Sequence, residues 1–132
     1  MRPIILFSVL AALASLPVAH ADPAAAAISP PALLEALERG EPPLVLDVRT
    51  LEEYRRGHVP GARRIPHDEL AGRLAELGDV REVVVYCHSG RRAALAQGIL
   101  HEAGVRTRQL EGNWVVWQQL GMPVETSRES PR

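Results

Sequence analysis

In "CHSGRR", residues 87–92, the one cysteine of the chain is followed within five positions by a glycine and two arginines. The segment before it, "VVVY" (83–86), is apolar, and the segment after it, "RRAALAQGILHEAG", has the composition of a helix. A cysteine in such a place does chemistry as its thiolate, the form that attacks electrophilic sulfur, carbon or phosphorus. A helix N-terminus offers unpaired backbone N–H groups and a partial positive charge. Gly90 lets the loop turn so that successive N–H groups face inward and form an anion-binding nest. The expected site is therefore Cys87 as nucleophile, with His88, Ser89, Gly90, Arg91 and Arg92 as an anion-binding loop around it. Neighbouring residues on a helix point in different directions, so only one arginine can face the loop. Arg92 is expected inward and Arg91 outward, and His88 is read as a loop residue rather than a general base.

The elements that must hold this loop follow from hydrophobic period and turn residues. Ser29 caps a helix begun by Pro30 and Pro31, with Leu33, Leu34 and Leu37 on one face and Gly40 as its stop. "PPLVLDV" (42–48) suits a strand buried on both faces. "TLEEYRRG" reads as a short helix ended by Gly57, and "HVPGARRIP" as a turn into a brief strand near 62–65. "HDELAGRLAELG" (67–78) has Leu70, Leu74 and Leu77 at helical spacing. Strand 83–86 is followed by a helix with Leu95, Ile99, Leu100 and Ala103 on one face, then by a strand "VRTRQL" and a last helix "NWVVWQQLG". Strands alternating with helices give an α/β fold, a single domain with a mainly parallel central sheet flanked by helices. In such sheets ligands bind outside the carboxyl ends of the strands, which is where Cys87 falls.

The chain has 132 residues and a formal net charge of −1, with no basic excess to recruit nucleic acid or an anionic membrane surface. Its basic residues are all arginine. Residues 1–21 combine an early arginine, an apolar run and Ala19-His20-Ala21, the pattern of a cleavable signal peptide cut after Ala21. An uncleaved anchor is the alternative, against which the apolar run is short. The expected organisation is a signal at 1–21, a flexible lead-in at 22–27, one domain at 28–125 and a frayed tail at 126–132. An exported chain, in the periplasm on this reading, meets oxidising conditions in which thiols are normally paired. A lone cysteine there points to a reactive thiol or to intermolecular pairing, with an inert core cysteine as the bland alternative.

Several motifs in order resemble the single-domain rhodanese family of sulfurtransferases. They are "LVLDVRTLEEYRRGHVPGARRIP" (44–66), "VVVYCHSGRRAA" (83–94), "HEAGV" (101–105) and "LEGNWVVWQQLGMPV" (110–124). With its signal-like start the chain is most similar to the small periplasmic rhodanese of the phage-shock type. The resemblance implies that Cys87 carries sulfur as a persulfide and that His88–Arg92 form the loop around the outer sulfur. It implies that Asp47 and Arg49, at the end of a neighbouring strand, brace that loop, either as a structural ion pair or as participants. His58 and Gly61 then shape a turn, and Trp117 belongs to the core. The donors and acceptors implied are thiosulfate, cyanide, small thiols and thiol proteins, with no metal or organic cofactor. A monomer is the default.

Two departures from the family pattern stand out. Members specialised for thiosulfate carry basic residues at the two positions after the cysteine, where this chain has His88 and Ser89. The usual Gly-Gly before the last helix is Gly112-Asn113, and Asn is the residue that best replaces Gly at positive φ. Three other readings remain open on sequence. A phosphatase or arsenate reductase loop would place five residues between Cys and Arg, and here there are four. The domain could be a non-catalytic binding module, or Cys87 a redox thiol, although it has no resolving partner in the chain.

Overall fold

The computed structural model describes residues 27–127. The segment expected to be a signal at 1–21, nearly all of the expected lead-in and most of the expected tail lie outside the described residues. Helix α1 (Pro30–Glu38) starts where the sequence placed it: Ser29 accepts a hydrogen bond from the Ala32 N–H at 3.3 Å, and the two prolines occupy positions whose N–H groups a helix leaves unused. Helix α2 (Leu51–Arg56) opens with a capping box in which Thr50 and Glu53 satisfy each other's backbone. Strands β1 (Leu44–Asp47), β2 (Arg63–Arg64), β3 (Glu82–Tyr86) and β4 (Arg106–Gln109) form one sheet in the order β2-β1-β3-β4, with every neighbouring pair parallel. Helices α3 (Arg91–Glu102) and α4 (Asn113–Gln119) follow β3 and β4. No helix among the described residues is long and apolar enough to cross a membrane.

The period-two alternation of the central strands divides the core. Leu46, Val83, Val85 and Cys87 face the cluster under α3, while Val45, Val84 and Tyr86 face the cluster under α1 and α4 with Leu33, Leu110 and Trp117. Both faces are covered, which is what the near-continuous apolar runs of β1 and β3 require. Register then fixes the site. Asp47 pairs with Tyr86, so the chain leaves β1 at Asp47 and β3 at Cys87 side by side, at the carboxyl edge of the sheet.

Two expected features turn out differently. Residues 67–78 do not form an α-helix but two 3-10 turns, Leu70–Gly72 and Leu74–Leu77, joined at Arg73 with φ −123°. No capping side chain precedes them, and Arg73 donates to Leu70 and Glu76 to Arg73 in bonds that span three residues. The longer rise of a 3-10 turn lays Leu70, Leu74 and Leu77 along the sheet in a stretched form. On α3 the buried stripe is Ala93, Ala96 and Leu100, while Leu95 is 57% exposed. Small residues let α3 lie close on β3 and β4, and Leu95, about 100° around the helix from Ala96, turns to solvent. Truncating Leu100 to Ala should therefore cost roughly 2–5 kcal/mol. Leu95→Ala should change stability by less than about 0.5 kcal/mol. Urea unfolding midpoints of the two variants check the assignment.

Candidate active site

Cys87 follows β3 directly and is buried and unpaired. Its sulfur accepts the N–H of Gly90 at 3.0 Å, so the loop closes on the sulfur. Gly90 makes this turn at φ 120°, a conformation that a side chain rarely adopts. A Cβ there would also lie 2.9 Å from Gln109 Nε2 and 3.0 Å from Asn113 Nδ2. The N–H groups at the start of α3 have no carbonyl one turn back to receive them.

The loop has no regular structure, so its own polar groups are satisfied from elsewhere. Asn113 Oδ1 accepts the Cys87 N–H at 3.0 Å. The first amides of α4 donate to the loop carbonyls, Trp114 to Cys87 at 3.0 Å and Val115 to His88 at 3.2 Å. Gln109 Nε2 donates to the Gly90 carbonyl at 3.3 Å and to Asn113 Oδ1 at 3.4 Å. Asn113 holds this place at φ 55°, which fits the expectation that Asn replaces a glycine there with the backbone unchanged. Its side chain adds what glycine could not, a grip on the cysteine backbone. Neither Asn113 nor Gln109 was singled out as a site residue from sequence, since the loop that Asn113 grips is 26 residues away.

Of the two arginines, Arg91 is exposed and Arg92 partly buried. The guanidinium of Arg92 does not stand free in the loop, however. It holds Glu53 of α2 through two parallel bonds of 2.8 Å each, Nη1 to Oε2 and Nη2 to Oε1. Arg92 holds the Glu53 carboxyl down at about 2, against the opposing effect of partial burial, and Thr50 adds to the depression. Glu53 in turn raises the Arg92 pKa. Glu53 was also missed as a site residue; its visible signal was the capping box Thr50-x-x-Glu53.

Asp47 and Arg49 form a buried pair beside the loop. Arg49 Nη2 donates to Asp47 Oδ2 at 2.6 Å and to the Gly57 carbonyl at 2.7 Å, while Nε donates to Asp47 Oδ1 at 2.9 Å. Burial opposes the charge of Arg49, and Asp47 outweighs it, raising the arginine further. The Tyr86 hydroxyl donates to Asp47 at 2.6 Å and accepts the Val59 N–H at 3.0 Å. Burial first, then Asp47, pushes that phenol above its ordinary range. The guanidinium lies 4.7 Å from the ring centre of Trp114, whose backbone N–H donates to the Cys87 carbonyl. Nearby, His58 and Gly61 lie in the turn expected of them. The His58 ring stacks on Tyr54 at 3.7 Å, and its backbone bridges to Glu125.

A cleft of about 370 Å³ opens beside the loop, with Trp114, His88, Arg49, Glu53, Arg56 and Gln118 on its walls. A larger hollow of about 480 Å³ lies at the other end of the strands, by Leu44, Glu82 and Arg108, and no loop residue lines it. Position relative to the thiol, not size, makes the first the relevant one. Among the described residues no group of His, Cys, Asp and Glu is arranged to hold a metal ion.

Residues 29–120 match the family model described as rhodanese-like domain. The chain belongs to that family. The HTH-type transcriptional regulator Rv0324 of Mycobacterium tuberculosis is 44% identical over 101 residues, 75% of this chain and 44% of the regulator. A sulfurtransferase of Allochromatium vinosum is 33% identical over 93 residues, 70% of this chain and 87% of that protein. Thiosulfate sulfurtransferase PspE of Escherichia coli is 43% identical over 61 residues, 45% of this chain and 59% of PspE. The rhodanese-related protein of Thermoplasma volcanium superposes with a TM-score of 0.69 at 29% identity, covering 76% of this chain and 98% of that one. The chain thus spans less than half the length of Rv0324, and most of the length of the Allochromatium protein. Two of these relatives, from Allochromatium vinosum and Escherichia coli, are named as sulfurtransferases.

Two outcomes test the geometry. Asn113→Gly keeps the left-handed backbone but strands the buried Cys87 N–H, and should cost about 1–3 kcal/mol. Asn113→Ala should cost about 1 kcal/mol more, from the strain of a Cβ at positive φ; chemical denaturation ranks the two. The Glu53 carboxyl has a folded pKa of about 2 against an ordinary 4.5. Its stabilising charge is therefore fully present above 4.5 and is lost as pH falls toward 2. The stability gap between the native chain and Glu53→Gln, at most about 1 kcal/mol for a pair that solvent still reaches, should close across that window. Denaturation midpoints measured against pH show whether it does.

Proposed function

We propose that this rhodanese-like domain is a sulfurtransferase that carries sulfane sulfur as a persulfide on Cys87. The observation that supports it most directly is the loop closed on the Cys87 sulfur by the Gly90 N–H at 3.0 Å, at the carboxyl end of β3 and the start of a helix. In the first step the Cys87 thiolate attacks the outer sulfur of a donor such as thiosulfate. The S–S bond of thiosulfate breaks, its electron pair leaves with sulfite, and Cys87 becomes a persulfide. In the second step an acceptor, cyanide or a thiolate, attacks the outer sulfur of that persulfide. The new S–S bond breaks, the pair returns to Cys87, and thiocyanate or an acceptor persulfide departs. This is two-step nucleophilic catalysis, in which one group attacks and later leaves.

The protein supplies positioned donors for the sulfur-borne negative charge. Loop amides at the start of α3 and the α3 dipole face the outer sulfur in this reading. Asn113, Trp114 and Gln109 fix the loop backbone so that those amides need no rearrangement during the reaction. Arg92 with Glu53, and Asp47 with Arg49, anchor the flanks. The reading extends to location: the pattern of residues 1–21 supports export, with a small-molecule or protein thiol of the periplasm as acceptor.

The test is the intact mass of the purified protein before and after thiosulfate, beside Cys87→Ser. The expected result is a gain of one sulfur atom on the native chain, reversed by cyanide and absent from the serine variant. A gain that persists in Cys87→Ser would overturn the assignment of the carrier. The absence of loading by thiosulfate, thiosulfonate and organic persulfide alike would overturn sulfur transfer itself and leave a binding module.

A further inference from the structure

Of the arginines around the Cys87 loop, Arg49, Arg56 and Arg92 are each matched by a carboxylate, while the exposed Arg91 is matched by none among the described residues. Arg92, in the first turn of α3, is clasped by Glu53 through two 2.8 Å bonds. Arg49 is held by the buried Asp47, and Arg56 pairs with Glu52 on the same helix. The two positions after the cysteine, His88 and Ser89, add no permanent charge. In the folded protein the charge of Arg92 is thus compensated, and among the described residues the exposed Arg91 is the cation left at the loop.

Glu53 is the residue that decides this balance. Its carboxylate is ionised throughout the neutral range, because Arg92 and Thr50 hold its proton affinity low. It also lines the cleft beside the loop, so its charge faces the space through which a donor approaches. A donor of sulfane sulfur must place its own charge there. Thiosulfate brings two negative charges, an alkanethiosulfonate brings one, and both deliver the same outer sulfur to the same thiolate.

We infer that Glu53 sets the charge of the sulfur donor: by neutralising Arg92 at the mouth of the Cys87 loop it disfavours dianionic donors relative to donors of lower charge. The inference rests on the reading of Cys87 as the sulfur carrier. Glu53 acts through the field it adds and through Arg92, without contact with the reacting atoms. The step it modulates is the transfer Cys–S⁻ + R–SO₂–S⁻ → Cys–S–S⁻ + R–SO₂⁻, in which the donor's S–S bond breaks and its pair leaves on the sulfinate. For thiosulfate the leaving group is sulfite, formed in the same way.

The substitution Glu53→Gln isolates the charge. Glutamine serves the capping box at the third helical position as well as glutamate does. Its carbonyl can still accept from Arg92, so the loop geometry is retained and one negative charge is removed. Coulomb's law in water gives at least about two-fold per unit of donor charge for a carboxylate on the order of 8 Å away. The gain is therefore at least about five-fold for a dianion by the same estimate.

The experiment measures the second-order rate of Cys87 loading by stopped mixing and intact mass, for thiosulfate and for methanethiosulfonate, in native protein and in Glu53→Gln at low ionic strength. The expected result is a several-fold gain with thiosulfate, a smaller gain with methanethiosulfonate, and convergence of the two as salt screens the site. Equal changes for the two donors, or a loss confined to thiosulfate, would overturn the inference while leaving the carrier role of Cys87 intact. Failure of both donors to load the native protein would instead remove the sulfurtransferase reading and this inference with it. A uniform fall with both donors, independent of salt, would mark Glu53 as a structural brace alone.

Discussion

Everything at the site depends on how a loop without regular structure has its backbone polar groups satisfied. Residues 87–90 lie between a strand and a helix, and a buried amide or carbonyl left unpaired there would cost more than a typical hydrogen bond is worth. The answer comes from the end of the fold. Asn113 takes the Cys87 N–H, α4 gives its first amides to the loop carbonyls, and Gln109 takes up the Gly90 carbonyl. The close start of α4 in turn requires Gly112 at φ 70°, where a Cβ would fall 2.1 Å from the Val116 side chain. β4 and α4 contribute no nucleophile, yet they decide the shape of the nucleophile's surroundings.

Charge is distributed in the same local manner. All basic side chains in the formal count are arginines, and around the site Arg49, Arg56 and Arg92 are matched with carboxylates in pairs. The exposed pairs contribute little to stability, since both partners are well solvated alone. The planar guanidinium matters more for geometry than for energy: Arg92 ties the start of α3 to α2 across 39 residues of sequence. On the proposed function, an anion at this loop would meet backbone amides, a helix dipole and Arg91, with the charge of Arg92 compensated by Glu53.

The buried network of Asp47, Arg49 and Tyr86 is of another kind. Removing an ion pair from water costs about as much as the pair regains, so it is weak support for stability as such. What it does is join four segments at one point: the ends of β1 and β3, the 57–59 turn and the ring of Trp114. Every buried side-chain nitrogen and oxygen among the described residues has a partner, so the network is complete. A complete polar network admits few alternative packings. That is how a pair that makes no hydrogen bond to the sulfur can hold the frame around it.

The sequence by itself determined the class of fold, the place of Cys87 and the turns. The apolar runs of β1 and β3, the Ser29 cap and the glycines at positive φ are local features, and local sterics and hydrophobic period suffice to read them. The family resemblance in the Cys87 loop was legible for the same reason. Whether residues 67–78 would be α or 3-10, and which face of α3 would be buried, was decided by packing. Both patterns offered more than one apolar stripe, and the sheet selected Ala93, Ala96 and Leu100 over Leu95. Tertiary structure alone brought Glu53 to Arg92, Asn113 to Cys87 and Arg49 to Trp114. Those contacts depend on strand order and register, which arise when the whole sheet assembles and have no signature in any short stretch of chain.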